Sequence, residues 1–139
     1  MKSTSILLIE DDELDIISIE RALKQIEEPI ELSTAFNGLE ALNLLKKTKD
    51  HPDIILLDLN MPRMNGIEFL TELRKDPSFN SIKIFVMTTS NEESDQKKAE
   101  KLGIQGYILK PLNFNDNTKR NSSMDSFMQF QIRKILSNN

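Results

Sequence analysis

The sequence predicts a single α/β domain built on a parallel sheet with helices on both of its faces. Bare apolar runs, such as Ile6–Ile9 and Ile54–Leu57, are typical of strands that are buried on both faces. Segments that follow these runs carry apolar residues at every third or fourth position, which is typical of amphipathic helices. The two patterns alternate five times, and this order favours parallel strands that are joined by right-handed helical crossovers.

The first half of the chain contains three predicted strands and two predicted helices. Pro29 ends the first helix, and His51-Pro52 ends the second. Asn37-Gly38 is interpreted as a turn after the second strand. The predicted elements are, in order, strand 6–9, helix 16–26, strand 30–36, helix 39–45 and strand 54–57.

The second half continues the same alternation. Pro77 closes the third helix, and Gly103 is placed as the C-cap of a polar fourth helix. The predicted elements are helix 67–73, strand 84–87, helix 92–102, strand 107–109 and a closing helix 124–136. We therefore expect one domain over residues 1–139, with its core at 5–111 and an extended polar connection at 113–123.

Composition excludes several classes of protein. The chain has 18 basic and 22 acidic residues, so it lacks the positive field that nucleic-acid binding requires. It has no cysteine, which excludes disulfides, thiol catalysis and zinc–thiolate sites. The apolar runs are far shorter than the roughly 20 residues of a membrane span, and the start of the chain does not resemble an export signal. These features predict a cytoplasmic protein.

The residues that could bind a ligand or take part in a reaction lie at four strand ends. The carboxyl ends of parallel strands meet at one end of the sheet, where ligands of such folds bind. Glu10 and Asp11 follow the first strand, and Asp58 follows the third. Two carboxylates about 4 Å apart repel each other by roughly 4 kcal/mol at an effective dielectric near 20. Three converging carboxylates therefore favour a bound divalent cation, and an all-oxygen ligand set suits Mg²⁺.

The same strand ends could support phosphoryl chemistry. A carboxylate such as that of Asp58, held against a metal ion, can act as a nucleophile towards phosphorus. Lys110 would supply a cation for phosphate oxygens, and Thr88 a hydroxyl. Asp12 and Glu13 are more simply interpreted as solvated side chains, one of which caps the following helix.

From Ile6 through Pro111, the sequence resembles the receiver domain of two-component response regulators. The motifs that carry the resemblance each lie at the carboxyl end of a strand. They are Leu7-Leu8-Ile9-Glu10-Asp11, Leu56-Leu57-Asp58-Leu59-Asn60-Met61-Pro62 with Gly66, Val86-Met87-Thr88, and Tyr107-Ile108-Leu109-Lys110-Pro111. The resemblance implies a doubly wound, flavodoxin-like (βα)₅ fold with strand order 2-1-3-4-5.

The resemblance also implies a role for each matching residue. Asp58 is the expected phosphoacceptor. Asp11 is expected to bind Mg²⁺ directly and Glu10 through water, with the backbone carbonyl of Asn60 as a further ligand. Lys110 is expected to pair with the phosphoryl group. Thr88 and Tyr107 are the expected switch residues, which move in response to it. Asn60 and Thr89 occupy positions that tune the lifetime of the phosphoryl group.

The implied function is a phosphorylation-dependent switch. A sensor histidine kinase or phosphotransfer protein would supply the phosphoryl group, and the sequence looks most like stand-alone receivers that partner phytochrome-type kinases. The signal would leave through the fourth helix, fifth strand and fifth helix to a protein partner, without an attached output domain. The protein would catalyse only its own phosphorylation and dephosphorylation. A homodimer is left open.

Three other functions compete with this one. A Mg²⁺-dependent phosphatase would use Asp58 as nucleophile but needs a second acid two residues on, where the chain has Asn60. A flavin-binding domain of the same topology would need a phosphate-binding first loop, which the acidic run at 10–13 opposes. A receiver-like adaptor that signals without phosphate is the third alternative.

Overall fold

The computed structural model describes residues 3–24, 29–61, 63–88 and 93–109. The elements in these ranges are β1 Thr4–Ile9, α1 Glu13–Lys24, β2 Ile30–Ala35, α2 Gly38–Lys47, β3 Ile54–Asp58, α3 Gly66–Leu73, the 3₁₀ turn η1 Pro77–Phe79, β4 Lys83–Thr88, α4 Glu93–Lys101 and β5 Gly106–Leu109. The five described strands form one parallel sheet in the order β2-β1-β3-β4-β5, as the resemblance implied.

Apolar side chains cover both faces of the sheet. On one face, alternate residues of β1 such as Leu7 and Ile9 pack in a cluster with residues of α2, α3 and α4. On the other face, Ile6 and Leu8 pack with residues of α1. Because the side chains on both faces are buried, the sequences of the central strands contain continuous apolar runs and do not alternate between apolar and polar residues. This confirms the prediction of helices on both faces.

Strand β2 lies at the edge of the sheet and, among the described strands, pairs only with β1. Its burial alternates between partly buried residues, such as Ile30 and Leu32, and exposed ones, such as Glu31 and Ser33. The edge position explains why apolar and polar residues alternate in β2, whereas β1 and β3 each contain a continuous apolar run.

Three local boundaries differ from the sequence-based expectations. β1 begins at Thr4, because the N–H of Ser5 donates to the Asp53 carboxylate and the N–H of Asp53 donates to the Ser5 carbonyl, which draws the polar start of the strand into the sheet. Asn37 and Gly38 do not form a separate turn: the Asn37 side chain accepts a 2.8 Å hydrogen bond from the backbone N–H of Glu40 and caps α2. A 3₁₀ turn, Pro77–Phe79, follows α3 and was not predicted.

The strand register fixes which residues meet at the carboxyl end of the sheet. Ile9 lies opposite Leu57, so the residues that follow them come out side by side. Asp58 lies opposite Met87, which places the end of β4 next to it. The predicted connection 113–123 and closing helix 124–136 lie outside the described residues. Within the described ranges, no helix has the length and apolar character that crossing a membrane would need.

Candidate functional site

Three carboxylates converge at the carboxyl end of the sheet, as the sequence predicts. Glu10 and Asp11 follow β1, and Asp58 is the last residue of β3. One carboxylate oxygen from each of the three lies within 4.8 Å of the other two. Glu10 is 0% exposed and Asp58 4% exposed, whereas Asp11 is open to solvent. The site is thus a partly enclosed pocket with one accessible acidic side.

Backbone N–H groups orient two of these carboxylates. The Glu10 side chain turns back, and its Oε2 accepts hydrogen bonds from the N–H of Asp11 at 3.1 Å and of Asp12 at 3.2 Å. The Asp58 Oδ1 accepts a 3.1 Å hydrogen bond from the N–H of Asn60. Both carboxylates are therefore held by the chain that immediately follows their own strand.

The oxygen cluster suits a hard divalent cation. Two negative charges within 4.8 Å of each other repel by about 3 kcal/mol at an effective dielectric near 20. Carboxylate oxygens are the ligands that Mg²⁺, Ca²⁺ and Mn²⁺ prefer. The donor set formed by Glu10, Asp11 and Asp58 therefore fits a divalent metal ion.

Asp12 belongs to the helix rather than to the cluster. Its Oδ1 accepts hydrogen bonds from the N–H of Leu14 at 2.9 Å and of Asp15 at 3.3 Å. These bonds satisfy N–H groups in the first turn of α1. The sequence predicts either Asp12 or Glu13 as the cap of this helix, and in the structure the cap is Asp12.

Gly66 holds the chain after Asp58 in place. Its N–H donates a 3.0 Å hydrogen bond to the carbonyl of Leu59. A Cβ at this position would lie 2.7 Å from the Leu59 Cα and 2.8 Å from the Asp58 carbonyl oxygen. Only glycine allows α3 to begin so close to the end of β3. Gly66 is part of a motif in the sequence, but this close approach is visible only in the structure.

A capping box fixes the start of α3 against the same loop. The Asn65 side chain accepts a 2.9 Å hydrogen bond from the N–H of Glu68, and the Glu68 side chain accepts a 3.0 Å bond from the N–H of Asn65. The spacing of Asn65 and Glu68 is a sequence signal for this motif, which the sequence analysis missed.

A second close approach ties this loop to α2. Arg63 and Met64 have φ angles of 50° and 71°, in the left-handed region that residues other than glycine seldom adopt. The Met64 carbonyl accepts a 3.3 Å hydrogen bond from the N–H of Gly38. A Cβ on Gly38 would lie 2.6 Å from that carbonyl oxygen. The loop after the candidate phosphoacceptor is therefore braced on two sides.

The remaining predicted site residues are only partly described. Asn60 is exposed directly after Leu59, and Tyr107 lies half-buried on β5 against the apolar cluster beneath α2 and α3. Thr88 ends β4, but its side chain lies outside the described part of the chain, as do all of Thr89 and Lys110. The roles of these residues stay predictions.

Comparison with known proteins identifies the class. A family model, the response regulator receiver domain, matches residues 6–120. The chain belongs to this family and is a receiver domain of two-component signalling.

Individual relatives include response regulators of similar and of greater length. The chain is 33% identical over 127 residues to response regulator Rcp1 of Synechocystis sp. PCC 6803, covering 88% of this chain and 86% of Rcp1. Against the longer nitrate/nitrite response regulator NarL of Escherichia coli K12, 36% identity extends over 115 residues and 51% of NarL.

Solved structures support the same relationship. The phosphorylated cyanobacterial phytochrome response regulator RcpA aligns with a TM-score of 0.83 and 31% identity, covering 99% of this chain and 97% of RcpA. The Mn²⁺-bound form of Rcp1 aligns with a TM-score of 0.79 and 32% identity, covering 91% of this chain and 94% of that one.

Proposed function

We propose that the protein accepts a phosphoryl group on Asp58 from a phosphohistidine of a sensor kinase or phosphotransfer protein, in a reaction that requires Mg²⁺. The observation that carries this proposal is the convergence of Glu10, Asp11 and Asp58 within 4.8 Å at the ligand-binding end of the sheet. The similarity to Rcp1 and RcpA supports a phytochrome-type kinase as the donor.

The transfer is a displacement at phosphorus. A carboxylate oxygen of Asp58 forms the new P–O bond, the P–N bond of phosphohistidine breaks, and the imidazole leaves with the bonding electron pair. Such transfer depends mainly on positioning and electrostatics. The 3.1 Å hydrogen bond from the N–H of Asn60 fixes the orientation of the Asp58 carboxylate, and burial excludes most water from it.

Glu10, Asp11 and Asp58 would hold the metal ion. When bound, a divalent cation offsets the negative charge of the Asp58 carboxylate and of the incoming phosphoryl group. We propose Mg²⁺ because the donors are hard oxygens, with the Asn60 backbone carbonyl as a further ligand. The Glu10 oxygen that accepts from two backbone N–H groups is consistent with a supporting role through water rather than direct ligation.

Residues near the phosphoryl group would stabilise it and transmit its presence. Lys110 would pair with phosphoryl oxygens, and Thr88 and Tyr107 would move together to alter the surface of α4, β5 and the final helix. Asn60 and Thr89 would influence the lifetime of the acyl phosphate. The protein would thus catalyse only its own phosphorylation and dephosphorylation, and it would act through protein partners.

The alternatives receive less support. The family match and the similarity to phytochrome response regulators favour a receiver over a phosphatase or a flavin-binding domain. Asn60 offers no acid to protonate a leaving group, which further disfavours general phosphatase activity. The phosphate-independent adaptor is distinguished by the effect of an Asp58→Asn substitution on partner binding.

Mass spectrometry of the intact protein tests the proposal. With Mg²⁺ and acetyl phosphate as donor, the wild-type protein should gain about 80 Da, and the gain should disappear with EDTA or in Asp58→Asn. Asp53→Asn, which changes a carboxylate at the opposite end of the sheet, is the matched control and should keep the gain. A gain that persists in Asp58→Asn, or is never seen in the wild-type protein, contradicts the proposal.

A further inference from the structure

Helix α4 has little apolar surface to hold it against the sheet. Within Glu93–Lys101, Ala99 is the buried residue. Leu102 and Ile104, which follow the helix, are only partly buried against the core. An isolated polar helix of nine residues is not stable in water, because most helical stability comes from packing of an apolar face. Contacts other than apolar burial must therefore fix its position.

Arg74 supplies such a contact from the neighbouring helix. It follows the last residue of α3, and its guanidinium donates hydrogen bonds to the carbonyls of Leu102 at 2.6 Å and Gly103 at 3.0 Å. Carbonyls at a helix C-terminus carry partial negative charge, so these bonds to a cation are charge-assisted. Burial lowers the pKa of Arg74 from its usual value, yet the guanidinium remains charged at neutral pH.

The turn that Arg74 holds leads directly into β5. Gly103 adopts a φ of 82°, which ends α4. Two residues later, the N–H of Gln105 donates a 2.7 Å hydrogen bond to the carbonyl of Ile84 in β4. Tyr107 then lies on β5. The position of the turn therefore sets where β5 begins.

Helix α3 connects this turn to the phosphoacceptor. It begins at Gly66, which lies against the backbone of Asp58, and Arg74 directly follows its other end. A rigid helix thus joins the loop after Asp58 to the turn between α4 and β5. Helices behave as rigid bodies when their ends are fixed, and such elements can couple distant sites.

We propose that Arg74 is a positioning residue of the switch, which anchors the C-terminal end of α4 as a fixed pivot. When the turn after α4 is anchored, a structural change at Asp58 moves Tyr107 in a defined direction. When the anchor is absent, the turn absorbs the change and Tyr107 moves less. This inference rests on the proposed function, but the anchoring itself does not depend on phosphorylation.

Two variants separate the anchor from a general loss of charge. Arg74→Met removes both hydrogen bonds, and Arg74→Lys retains a cation but not the planar fork that reaches two carbonyls. Lys75→Met is the matched control, because Lys75 is the next residue and its Nζ contacts the exposed Glu72 at 2.8 Å.

Amide hydrogen exchange, measured by NMR without a phosphodonor, tests the anchor. In Arg74→Met the Gln105 amide should exchange about tenfold faster or more, while the Leu56 amide in β3 changes less than about twofold. Lys75→Met should match the wild-type protein. Unchanged Gln105 exchange overturns the anchor. If Arg74→Met is globally unstable, Arg74→Lys decides: faster exchange confined to Gln105 supports the anchor, and equal acceleration of both amides overturns it.

Tyrosine fluorescence tests the positioning role. Tyr107 is the only tyrosine and the chain has no tryptophan, so emission reports on this side chain. Titration with beryllofluoride and Mg²⁺, which mimics the phosphoryl group, should give a saturable change in the wild-type protein and in Lys75→Met. In Arg74→Met the amplitude of the fluorescence change should fall to about half of the wild-type value or less. The beryllofluoride concentration at half-saturation should stay within about twofold of the wild-type value, because the anchor lies outside the binding site.

The outcomes distinguish this inference from the proposed function. Full amplitude in Arg74→Met, in a protein whose Asp58 still gains the phosphoryl group, overturns the inference alone. Absence of a response in every variant, together with no phosphoryl gain on Asp58, overturns the proposed function and the positioning role with it. The exchange rates of Gln105 then still decide whether Arg74 anchors the turn.

Discussion

Carboxylates occur at both ends of the sheet, but their surroundings differ. At the carboxyl end, Glu10 and Asp58 are buried and lie within 4.8 Å of each other and of Asp11. At the amino end, Asp53 and Asp76 are exposed, and each lies just before an element that it helps to fix. Asp53 accepts a 2.9 Å hydrogen bond from the N–H of Ser5. Asp76 accepts bonds from the N–H of Ser78 at 3.0 Å and from its hydroxyl at 2.8 Å.

The comparison separates structural from functional use of the same chemical group. An exposed carboxylate that accepts N–H or O–H donors stabilises the backbone around it at little electrostatic cost. Buried carboxylates that crowd together repel one another, and such an arrangement is expected where a cation or a reaction requires it. Removing a negative charge should therefore have opposite effects on stability at the two ends.

The largest expected effect comes from Gly66→Ala at the carboxyl end. The new Cβ would lie within 3 Å of the backbone of Leu59 and Asp58, so the loop or the helix must move. We expect the free energy of unfolding to fall by about 1–3 kcal/mol in urea denaturation, and phosphoryl incorporation on Asp58 to slow. Stability and incorporation equal to those of the wild-type protein would show that this close approach does not hold the site.

Glu10→Gln should stabilise the protein when metal is removed. The substitution keeps an oxygen that can accept from the N–H groups of Asp11 and Asp12, and it removes one of three crowded negative charges. We expect the free energy of unfolding in EDTA to rise by about 1–2 kcal/mol.

Asp53→Asn is the matched change at the amino end and should act in the opposite direction. It weakens the bond to the N–H of Ser5, where β1 and β3 begin. We expect a loss of about 1 kcal/mol in the same urea experiment. If both substitutions shift stability in the same direction, the contrast between the two ends is wrong.

The smallest expected effect is a pH dependence at Asp76. Hydrogen bonds from Ser78 lower the pKa of the Asp76 carboxyl below its usual value. Because the folded-state pKa lies below the usual carboxyl value of 3.8, this stabilisation is present at neutral pH and is lost only as the pH falls below that value. The difference in stability between the wild-type protein and Asp76→Asn should therefore be larger at pH 7 than in acid. A constant difference would contradict this assignment.

Most of the fold follows from local sequence patterns. Apolar runs, helical periodicity and the breakers Pro29 and Gly103 predict the described strands and helices close to their observed bounds. The early start of β1 was missed because it depends on Asp53, which is 48 residues away. The 3₁₀ turn at Pro77–Phe79 does have a local signal in the sequence, an aspartate directly before a proline.

The candidate site was predictable where it depends on strand order. Once parallel strands are assigned, Glu10, Asp11 and Asp58 must lie at the same end of the sheet. The need for glycine at position 66 and the bonds of Arg74 to Leu102 and Gly103 could not be read from the sequence, because they depend on how helices pack.

The most direct test is the linkage between metal and stability. The free energy of unfolding is measured for the wild-type protein and Asp58→Asn, each in EDTA and in Mg²⁺. At 100 times the dissociation constant, Mg²⁺ should stabilise the wild-type protein by about 2.7 kcal/mol. We expect Asp58→Asn to be the more stable protein in EDTA and to gain much less from Mg²⁺. A less stable Asp58→Asn that gains as much from Mg²⁺ as the wild-type protein would contradict a metal site built on these three carboxylates.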